Sequence, residues 1–269
     1  MHAFDTVQLQ HDARGFATLW LNRPEKRNAF DALMINELTQ ALADVEGASH
    51  VRFLLLRGRG QHFCAGADLA WMQASASLGE QRNRREAQAL GELMARLAQL
   101  ALPTLAVVQG AAIGGAVGLV SCCDMAIGST DALFSLSEVR LGLAPALISP
   151  YVVQAIGPRA ARRYALSAER FDGQRAASLG LLNEACTAEQ LEARLEHWVT
   201  QLLLNGPEAM RATKALLTEV GSGITTPQVR RACEDTIARL RTGAEGQEGL
   251  RAFLEKRPPH WQTTQEQTP

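Results

Sequence analysis

An apolar segment over residues 102–120 constrains the fold of this chain more than any other feature of the sequence. It is long enough to suggest a membrane span, yet it contains Pro103, Gln109 and glycines at positions 110, 114, 115 and 118. Inside a bilayer these residues would leave backbone groups and an amide without partners. The segment therefore predicts a buried strand, a glycine turn and a helix in the core of a globular protein.

The composition is that of a globular protein with a core of its own. The 269 residues are 46% hydrophobic, and 27 basic residues nearly balance 28 acidic ones, which argues against a nucleic-acid-binding surface. The five cysteines form no CxxC pair, and residues 1–12 lack the apolar stretch of a secretory signal. We therefore expect reduced thiols in a cytoplasmic protein with neither a membrane nor a nucleic-acid partner.

Strand and helix patterns alternate along the chain, which predicts an α/β architecture. Strand patterns cover 7–10, 16–21, 51–57, 103–108, 124–128 and 133–135. Helical spacing covers 31–45, 68–72 and 87–99, a helix is expected out of 110–118, and the chain turns helical from about 188, with a helix start at 206–207. The polar segment 73–86 reads as a mobile excursion.

Two glycine-bearing turns and one carboxylate are the candidates for chemistry. HFCAGADL (62–69) and QGAAIGGAVGL (109–119) each join a strand to a helix, so each offers unpaired backbone N–H groups to a negatively charged oxygen. One donor from each turn would form an oxyanion hole. Glu138, in the mainly apolar segment FSLSEVRLGLAP (134–145), is a candidate acid or base.

Other chemistries lack their sequence patterns. Ala112 stands where a GxGxxG dinucleotide motif needs glycine, and neither a phosphate-binding P-loop nor a GxSxG elbow occurs. The six histidines have no metal-ligand spacing. Cys64 and His62 are two residues apart, roughly 7 Å on an extended strand, which is too far for the histidine to activate the thiol.

Six ordered motifs together resemble the enoyl-CoA hydratase/isomerase, or crotonase, superfamily over nearly the whole chain. They are NRPEKRNAF (22–30), the two glycine turns, CDMAIG (123–128), the Glu138 segment and GLRAFLEKR (249–257). The segments AGADLAWMQ and ISPYVVQAIGPRAARRY look most like the hydratases of leucine and acyclic-terpene breakdown. Those enzymes act on 3-methylglutaconyl-CoA or isohexenylglutaconyl-CoA.

The resemblance implies a fold and an assembly. We expect a spiral of repeated ββα units over residues 1–199, carrying the CoA and acyl site, and a helical region over 200–269 that forms trimers. Such trimers can pair into hexamers, so a homotrimer or a homohexamer is expected. No metal and no tightly bound cofactor is implied, because coenzyme A enters as part of the acyl-CoA substrate.

The resemblance also assigns residues. The backbone N–H groups of Ala67 and Gly115 would hold the thioester oxygen, with Glu138 as the acid or base. Contacts to coenzyme A would fall on six residues of the chain itself: Lys26, Arg27, Ala29, Ala65, Asp68 and Leu69. Phe253 and Lys256 would reach the nucleotide of a neighbouring subunit.

One departure from the family pattern leaves the reaction open. Hydratases of this superfamily usually carry a second glutamate where this chain has Gly118. A single glutamate also suits a Δ3,Δ2-enoyl-CoA isomerase. We expect hydration, on the hypothesis that Gly118 frees space for a branched acyl group.

Two further questions stay open at this point. The distal carboxylate of such a substrate needs a cation, for which Arg82, Arg84, Arg85 and Arg140 are equivalent candidates. The apolar stripe Leu191, Leu195, Trp198, Val199, Leu202 and Leu203 packs either on another subunit or on the chain's own core.

Overall fold

Nine strands and ten α-helices alternate along the part of the chain that the computed structural model describes, residues 3–221 and 225–262. The strands are β1 (Val7–Asp12), β2 (Phe16–Leu21), β3 (Leu54–Gly58), β4 (Thr104–Val108), β5 (Ala111–Ile113), β6 (Met125–Ser129), β7 (Leu133–Ser135), β8 (Phe171–Asp172) and β9 (Glu184–Cys186). The helices are α1 (Ala32–Gly47), α2 (Leu69–Ala76), α3 (Gly79–Gln99), α4 (Gly115–Cys122), α5 (Ser149–Ser167), α6 (Gly173–Leu179), α7 (Leu191–Leu203), α8 (Pro207–Val220), α9 (Pro227–Thr242) and α10 (Ala244–Leu254).

The strands form two sheets. The larger has the order β1-β2-β3-β4-β6-β9, with β1 antiparallel to β2 and the other pairs parallel. The smaller has the order β5-β7-β8. Single parallel bridges between Phe30 and Ala67 and between Cys64 and Ala112 extend this second layer toward the start of the chain.

Successive turns of the chain repeat one pattern. After β4 in the large sheet comes β5 in the small one and then α4, and after β6 comes β7 and then α5. The same step occurs earlier, where β3 leads to the bridge at Cys64 and on to α2 and α3. The predicted α/β spiral of ββα units is therefore confirmed.

Strand residues alternate between two cores, as the period of a β-strand requires. Leu54 and Leu56 point into the main core inside the spiral. Phe53 and Leu55 point to the opposite face, which α7 covers with Leu191, Leu195 and Val199. The apolar stripe of α7 thus packs on the chain's own sheet, which settles the question that the sequence left open.

The polar segment 73–86 is helical, contrary to the prediction of a mobile excursion. It contains the end of α2 and the first two turns of α3. Its side chains are polar because this part of the helix pair faces solvent, whereas Leu93, Met94 and Leu97, further along α3, are buried.

The helical region at the end of the chain is tied to the spiral. Lys214 Nζ on α8 lies 2.8 Å from Asp124 Oδ2 and donates to the Leu102 carbonyl oxygen at 3.0 Å. The predicted boundary at residue 199 falls within α7. Over the described ranges, no helix is long and apolar enough to cross a membrane.

Candidate active site

The first glycine turn is held in place by Asn28. This side chain is fully buried, and its amide donates to the carbonyl oxygens of Arg59 and His62, both at 2.8 Å. Its Oδ1 accepts from the Arg23 backbone N–H. The backbone of Asn28 itself has a φ of +56°, a conformation that asparagine tolerates better than most residues. Asn28 thereby attaches the motif at residues 22–30 to the loop that precedes Ala67.

Arg23 joins the starts of two helices. Its guanidinium lies 2.9 Å from Asp31 Oδ2 and 3.3 Å from Asp68 Oδ2. Asp31 caps α1 by accepting from the Met34 N–H, as the sequence predicted, and Asp68 caps α2 by accepting from Ala70 and Trp71. Burial alone would raise the pKa of Asp68, but these N–H groups and Arg23 hold it below its usual value.

The two glycine turns pack against each other. Cys64 and Ala112 bridge, and a Cβ added at Gly66, where φ is +92°, would lie 2.7 Å from the Ile113 carbonyl oxygen. Only glycine fits this approach. The turns that the sequence predicted to converge are thus neighbours.

Each turn presents one backbone N–H group without a partner in the described structure. In the bridge between Phe30 and Ala67, the Phe30 N–H donates to the Gly66 carbonyl and the Asp68 N–H donates to the Phe30 carbonyl. The N–H of Ala67 itself therefore points away from the segment that contains Phe30. Gly115 is the first residue of α4, where no helical acceptor exists. An oxygen carrying negative charge would be stabilised between two such donors.

Phe30 contacts both turns and was not singled out by sequence reasoning. Its backbone bridges Ala67, and a Cβ added at Gly115 would lie 2.5 Å from Phe30 Cζ. The ring also packs edge-on against Trp71, with centroids 6.5 Å apart. Its position at the end of the first motif, directly before the helix cap Asp31, was the available signal.

Glu138 begins a 3₁₀ turn, Glu138–Leu141, which follows β7. Its carboxylate faces the second glycine turn: a Cβ added at Gly114 would lie 3.1 Å from Glu138 Oε1 and 3.5 Å from its Cδ. Oε2 is buried and has no hydrogen-bond partner among residues 3–221 and 225–262. Burial raises the pKa of Glu138 above the usual carboxyl value. A carboxylate of this kind is a stronger base than one in water.

The hypothesis that Gly118 frees space for a branched acyl group is wrong. A Cβ added there would lie 2.1 Å from Ile148 Cγ2 and 2.7 Å from Ile148 Cβ, with Met94 Cε at 3.4 Å. The position of the second family glutamate is therefore filled by an apolar side chain from the segment that leads into α5.

The residues predicted to bind coenzyme A fall into three groups. Lys26 and Arg27 are exposed in and directly after a 3₁₀ turn, Pro24–Lys26. Ala29 and Ala65 are linked to the same loop, because the Arg23 guanidinium donates to the Ala29 carbonyl and the Ala65 N–H donates to Arg27.

Asp68 and Leu69 form the start of α2, where Leu69 is 72% exposed. Phe253 and Lys256 lie at the far end of the chain, at and just after the end of α10, which packs on α8 and α9. Phe253 is 82% exposed. The structure brings the first two groups together around the first turn, while the contact of the third with a neighbouring subunit stays a prediction.

Cys64 is not built for nucleophilic chemistry. It is fully buried, and burial raises the pKa of its thiol to about 12. Its Sγ accepts from the Gly66 N–H at 3.4 Å. Across the described ranges, no group of three His, Cys, Asp or Glu side chains is arranged to hold a metal ion.

An α/β spiral in which two glycine turns meet beside one buried carboxylate defines an enzyme of the crotonase class. Comparison with known proteins gives the family. The sequence model described as Enoyl-CoA hydratase/isomerase matches residues 12–265, and the chain belongs to that family.

Individual relatives agree with this assignment. A putative enoyl-CoA hydratase of Thermus thermophilus is 34% identical over 245 residues, 91% of this chain and 96% of the relative. A crotonyl-CoA hydratase of Syntrophomonas wolfei is 31% identical over 261 residues, 95% and 97% of the two chains. The crystal structure of an enoyl-CoA hydratase from Shewanella pealeana is 43% identical, with a TM-score of 0.91 and 96% of each chain covered.

Proposed function

We propose that this chain is a hydratase that adds water across the 2,3-double bond of a branched enoyl-CoA. The observation that carries the proposal is the Glu138 carboxylate, whose Oε2 is buried and without a partner in the described structure while Oε1 lies beside Gly114. A buried carboxylate left unpaired lowers stability. Its presence beside two free N–H donors is explained by a reaction that uses it.

In the proposed mechanism the thioester carbonyl oxygen accepts hydrogen bonds from the N–H groups of Ala67 and Gly115. Glu138 takes a proton from a water molecule, whose oxygen bonds to C3 of the acyl chain. The electron pair of the double bond then moves toward the thioester, which becomes an enolate. Each well-placed donor stabilises that charge by about 3 kcal/mol.

The same Glu138 completes the reaction by returning its proton to C2, so the oxygen and one hydrogen of a single water end on C3 and C2. Because one carboxylate serves both carbons, both new bonds form on the same face of the double bond. The apolar contact of Ile148 with Gly118 supports this one-carboxylate scheme, since it occupies the position of a second glutamate.

The substrate class rests on sequence resemblance. The segments AGADLAWMQ and ISPYVVQAIGPRAARRY favour an acyl group of the 3-methylglutaconyl or isohexenylglutaconyl type. Coenzyme A would be held by the exposed Lys26 and Arg27 and by the backbone around Ala29, Ala65, Asp68 and Leu69. Lysine and arginine suit its phosphates.

We also propose a homotrimer or a homohexamer working in the cytoplasm. Phe253 and Leu254, 82% and 79% exposed, form an apolar end to α10. Such side chains suit burial against another subunit, from which Phe253 and Lys256 would reach a bound nucleotide. All five cysteines are free thiols, in agreement with a reducing compartment.

A Δ3,Δ2-enoyl-CoA isomerase is the second candidate. It would use the same N–H donors, and Glu138 would only move a proton between C4 and C2. The observation that favours it is again the single carboxylate, since Ile148 closes the position at Gly118.

The deciding experiment offers 3-methylglutaconyl-CoA and a 3-enoyl-CoA to the enzyme in ¹⁸O-labelled water. Mass spectrometry of a hydratase reaction will detect one ¹⁸O in a 3-hydroxyacyl product of the branched substrate. An unlabelled 2-enoyl product, with the branched thioester untouched, would replace the hydratase by the isomerase. A Glu138→Gln variant is the control, and it should lose nearly all turnover because an amide is too weak a base.

A further inference from the structure

Two arginines lie against one tryptophan at the carboxyl end of β2 and β3. Gln8, Trp20 and Arg57 are directly opposite one another on β1, β2 and β3. The guanidinium carbons of Arg57 and Arg59 lie 4.4 and 3.7 Å from the centre of the Trp20 ring. The carboxyl ends of parallel strands are where such sheets bind ligands, and sequence reasoning singled out none of these residues.

The turn that carries Arg59 is fixed by two segments of the proposed site. Asn28 Nδ2, in the first motif, donates to the Arg59 carbonyl oxygen at 2.8 Å. Gln109 Nε2, at the start of the second glycine turn, donates to the carbonyl oxygens of Gly58 and Gly60 at 2.7 and 3.1 Å. The backbone of Arg59 is therefore tied on both sides to the segments that hold the two N–H donors.

The same turn contacts the loop that is proposed to hold the coenzyme. A Cβ added at Gly60 would lie 3.0 Å from the Cβ of Pro24, which begins the 3₁₀ turn that ends at Lys26. Arg27 follows directly. Arg59 thus adds a positive charge beside the two basic residues already proposed for the phosphates.

The charge of Arg59 is not balanced by a carboxylate in residues 3–221 and 225–262. Its guanidinium donates to the neutral Gln8 Oε1 at 2.6 Å, whereas Arg57 pairs with Glu192, whose side chain is 69% exposed. Burial and the charge of Arg57 lower the pKa of Arg59, so the two guanidinium groups disfavour each other. An anion bound to Arg59 would offset this repulsion.

We propose that Arg59, held against the Trp20 ring, binds a phosphate group of the coenzyme A nucleotide. The inference rests on the proposed acyl-CoA function and adds a contact on the side of the turn that faces β1 and β2. A guanidinium that packs on an aromatic ring keeps N–H groups at its edge, which suit the paired oxygens of a phosphate. The 3′-phosphate and the diphosphate of coenzyme A share this chemistry.

Binding of two coenzymes to the full chain tests the inference without any turnover. Isothermal titration calorimetry compares coenzyme A with dephospho-coenzyme A, which lacks the 3′-phosphate and keeps the diphosphate. We expect Arg59→Gln to weaken the binding of coenzyme A at least about 10-fold, as the loss of a hydrogen bond between charged groups implies. A loss for coenzyme A alone would assign the contact to the 3′-phosphate.

Ionic strength separates a phosphate contact from a change of structure. If Arg59 binds the diphosphate, Arg59→Gln should weaken both coenzymes equally and also make their affinity less sensitive to salt, because one charge pair is gone. Arg59→Lys should keep part of the affinity, since the charge remains. An equal loss for both coenzymes with an unchanged salt dependence would overturn the inference.

Arg14→Gln is the matched control. Arg14 also lies over an aromatic ring, with its guanidinium carbon 5.0 Å from the centre of Phe16, but at the opposite end of β2. It removes the same charge and should leave the affinity for both coenzymes unchanged. Trp20→Leu should weaken coenzyme A less than Arg59→Gln does, because the charge stays and only its support is lost. An Arg59→Gln variant that binds coenzyme A as tightly as Arg14→Gln would also overturn the inference.

Failure of the proposed function has a different signature. Binding of coenzyme A that depends on Arg59, with turnover of neither enoyl-CoA, would remove the hydratase and keep the phosphate contact. Hydration of the branched enoyl-CoA, with coenzyme affinity independent of Arg59, would keep the hydratase and remove the contact. Absence of any binding of coenzyme A to the wild type would overturn both proposals.

Discussion

Ile148 fills the space in which a side chain at Gly118 would lie, with its Cγ2 2.1 Å from an added Cβ. Both residues are buried, and Met94 closes the third side of the contact at 3.4 Å. The glycine on α4 and the isoleucine before α5 thus form one packed unit. A carboxylate at position 118 requires a smaller residue at 148.

This packing predicts a strong coupling between the two positions. Gly118→Ala should lower the free energy of unfolding by about 1–3 kcal/mol, because the interior is overpacked. Ile148→Ala alone should cost about 2–5 kcal/mol through the cavity that it leaves. In the double variant, the loss of unfolding free energy should be smaller than the sum of the two single losses by at least about 1 kcal/mol, measured by urea unfolding.

Gly47→Ala is the control for the helical propensity of alanine. Gly47 ends α1, and nothing lies within 4 Å of its added Cβ. Since alanine favours the helix, this change should be neutral or stabilising by up to about 1 kcal/mol. Strict additivity of the Gly118 and Ile148 effects would contradict the contact.

Ionisation of Glu138 should raise activity and lower the stability of the folded protein. Its pKa is raised above the usual carboxyl value of 4.5 by burial, so the folded state binds a proton more readily than the unfolded chain does. The charged carboxylate therefore lowers stability progressively as pH rises from the unfolded value through the raised folded value. Glu138→Gln should be more stable than the wild type at pH 7, and the difference should vanish below about pH 4.

Thermal unfolding of both proteins between pH 3.5 and 8 measures this difference. In the same range the wild-type kcat/KM should rise with pH, because only the ionised carboxylate accepts a proton, and the rise should be centred above 4.5. A Glu138→Gln variant that is less stable at pH 7 would mean that the carboxylate has a stabilising partner.

Short-range sequence patterns correctly predicted those elements that depend on residues close together in the chain. The cap Asp31 and the strands β2 and β7 have the predicted positions, since capping and strand alternation involve neighbours in sequence. The two glycine turns and Glu138 were also recognised from sequence. Their convergence was predicted because each turn joins a strand to a helix and offers unpaired backbone N–H groups to a single oxygen.

Contacts between distant segments were beyond such patterns. Nothing local indicates that Ile148, thirty residues after Gly118, packs on that glycine. The first turns of α3 lack an apolar stripe, so their helix was missed. Buried unpaired atoms are visible only once the fold has brought the side chains together.

Substitution of Gly66 should lower activity for a reason other than backbone strain. Its φ is +92°, and an added Cβ would lie 2.7 Å from the Ile113 carbonyl oxygen, so Gly66→Ala must push the two glycine turns apart. Because a misplacement of about 1 Å in a site can cost on the order of 100-fold, kcat/KM should fall by that order for every acyl-CoA tested.

Gly79→Ala separates the two causes. Gly79 also has a positive φ, +66°, but nothing lies within 4 Å of its added Cβ. This variant should lose about 1–2 kcal/mol of stability from backbone strain and keep kcat/KM within about twofold. Equal kinetic losses in the two variants would mean that backbone strain, and not the separation of the turns, controls activity.

The ion pair between Lys214 and Asp124 should contribute to the stability with which the C-terminal helices are held on the spiral. The ammonium group lies 2.8 Å from Asp124 Oδ2, and the two side chains are only 10% and 30% exposed. Asp124 also accepts from the backbone N–H and the hydroxyl of Thr104, so it stays partly satisfied without the lysine. Lys214→Met keeps the apolar stem and should cost about 1–3 kcal/mol, the value of hydrogen bonds to charged groups.

Arg230→Met is the matched control, because Arg230 pairs with Glu234 on α9 at 3.6 Å with both side chains more than 60% exposed. An exposed pair of this kind is worth at most about 0.5 kcal/mol. Urea unfolding gives both values, and limited proteolysis should release residues beyond α7 faster in Lys214→Met than in Arg230→Met. If the two variants are equally stable and equally resistant, the apolar contacts of α8 hold the helical region without help from this ion pair.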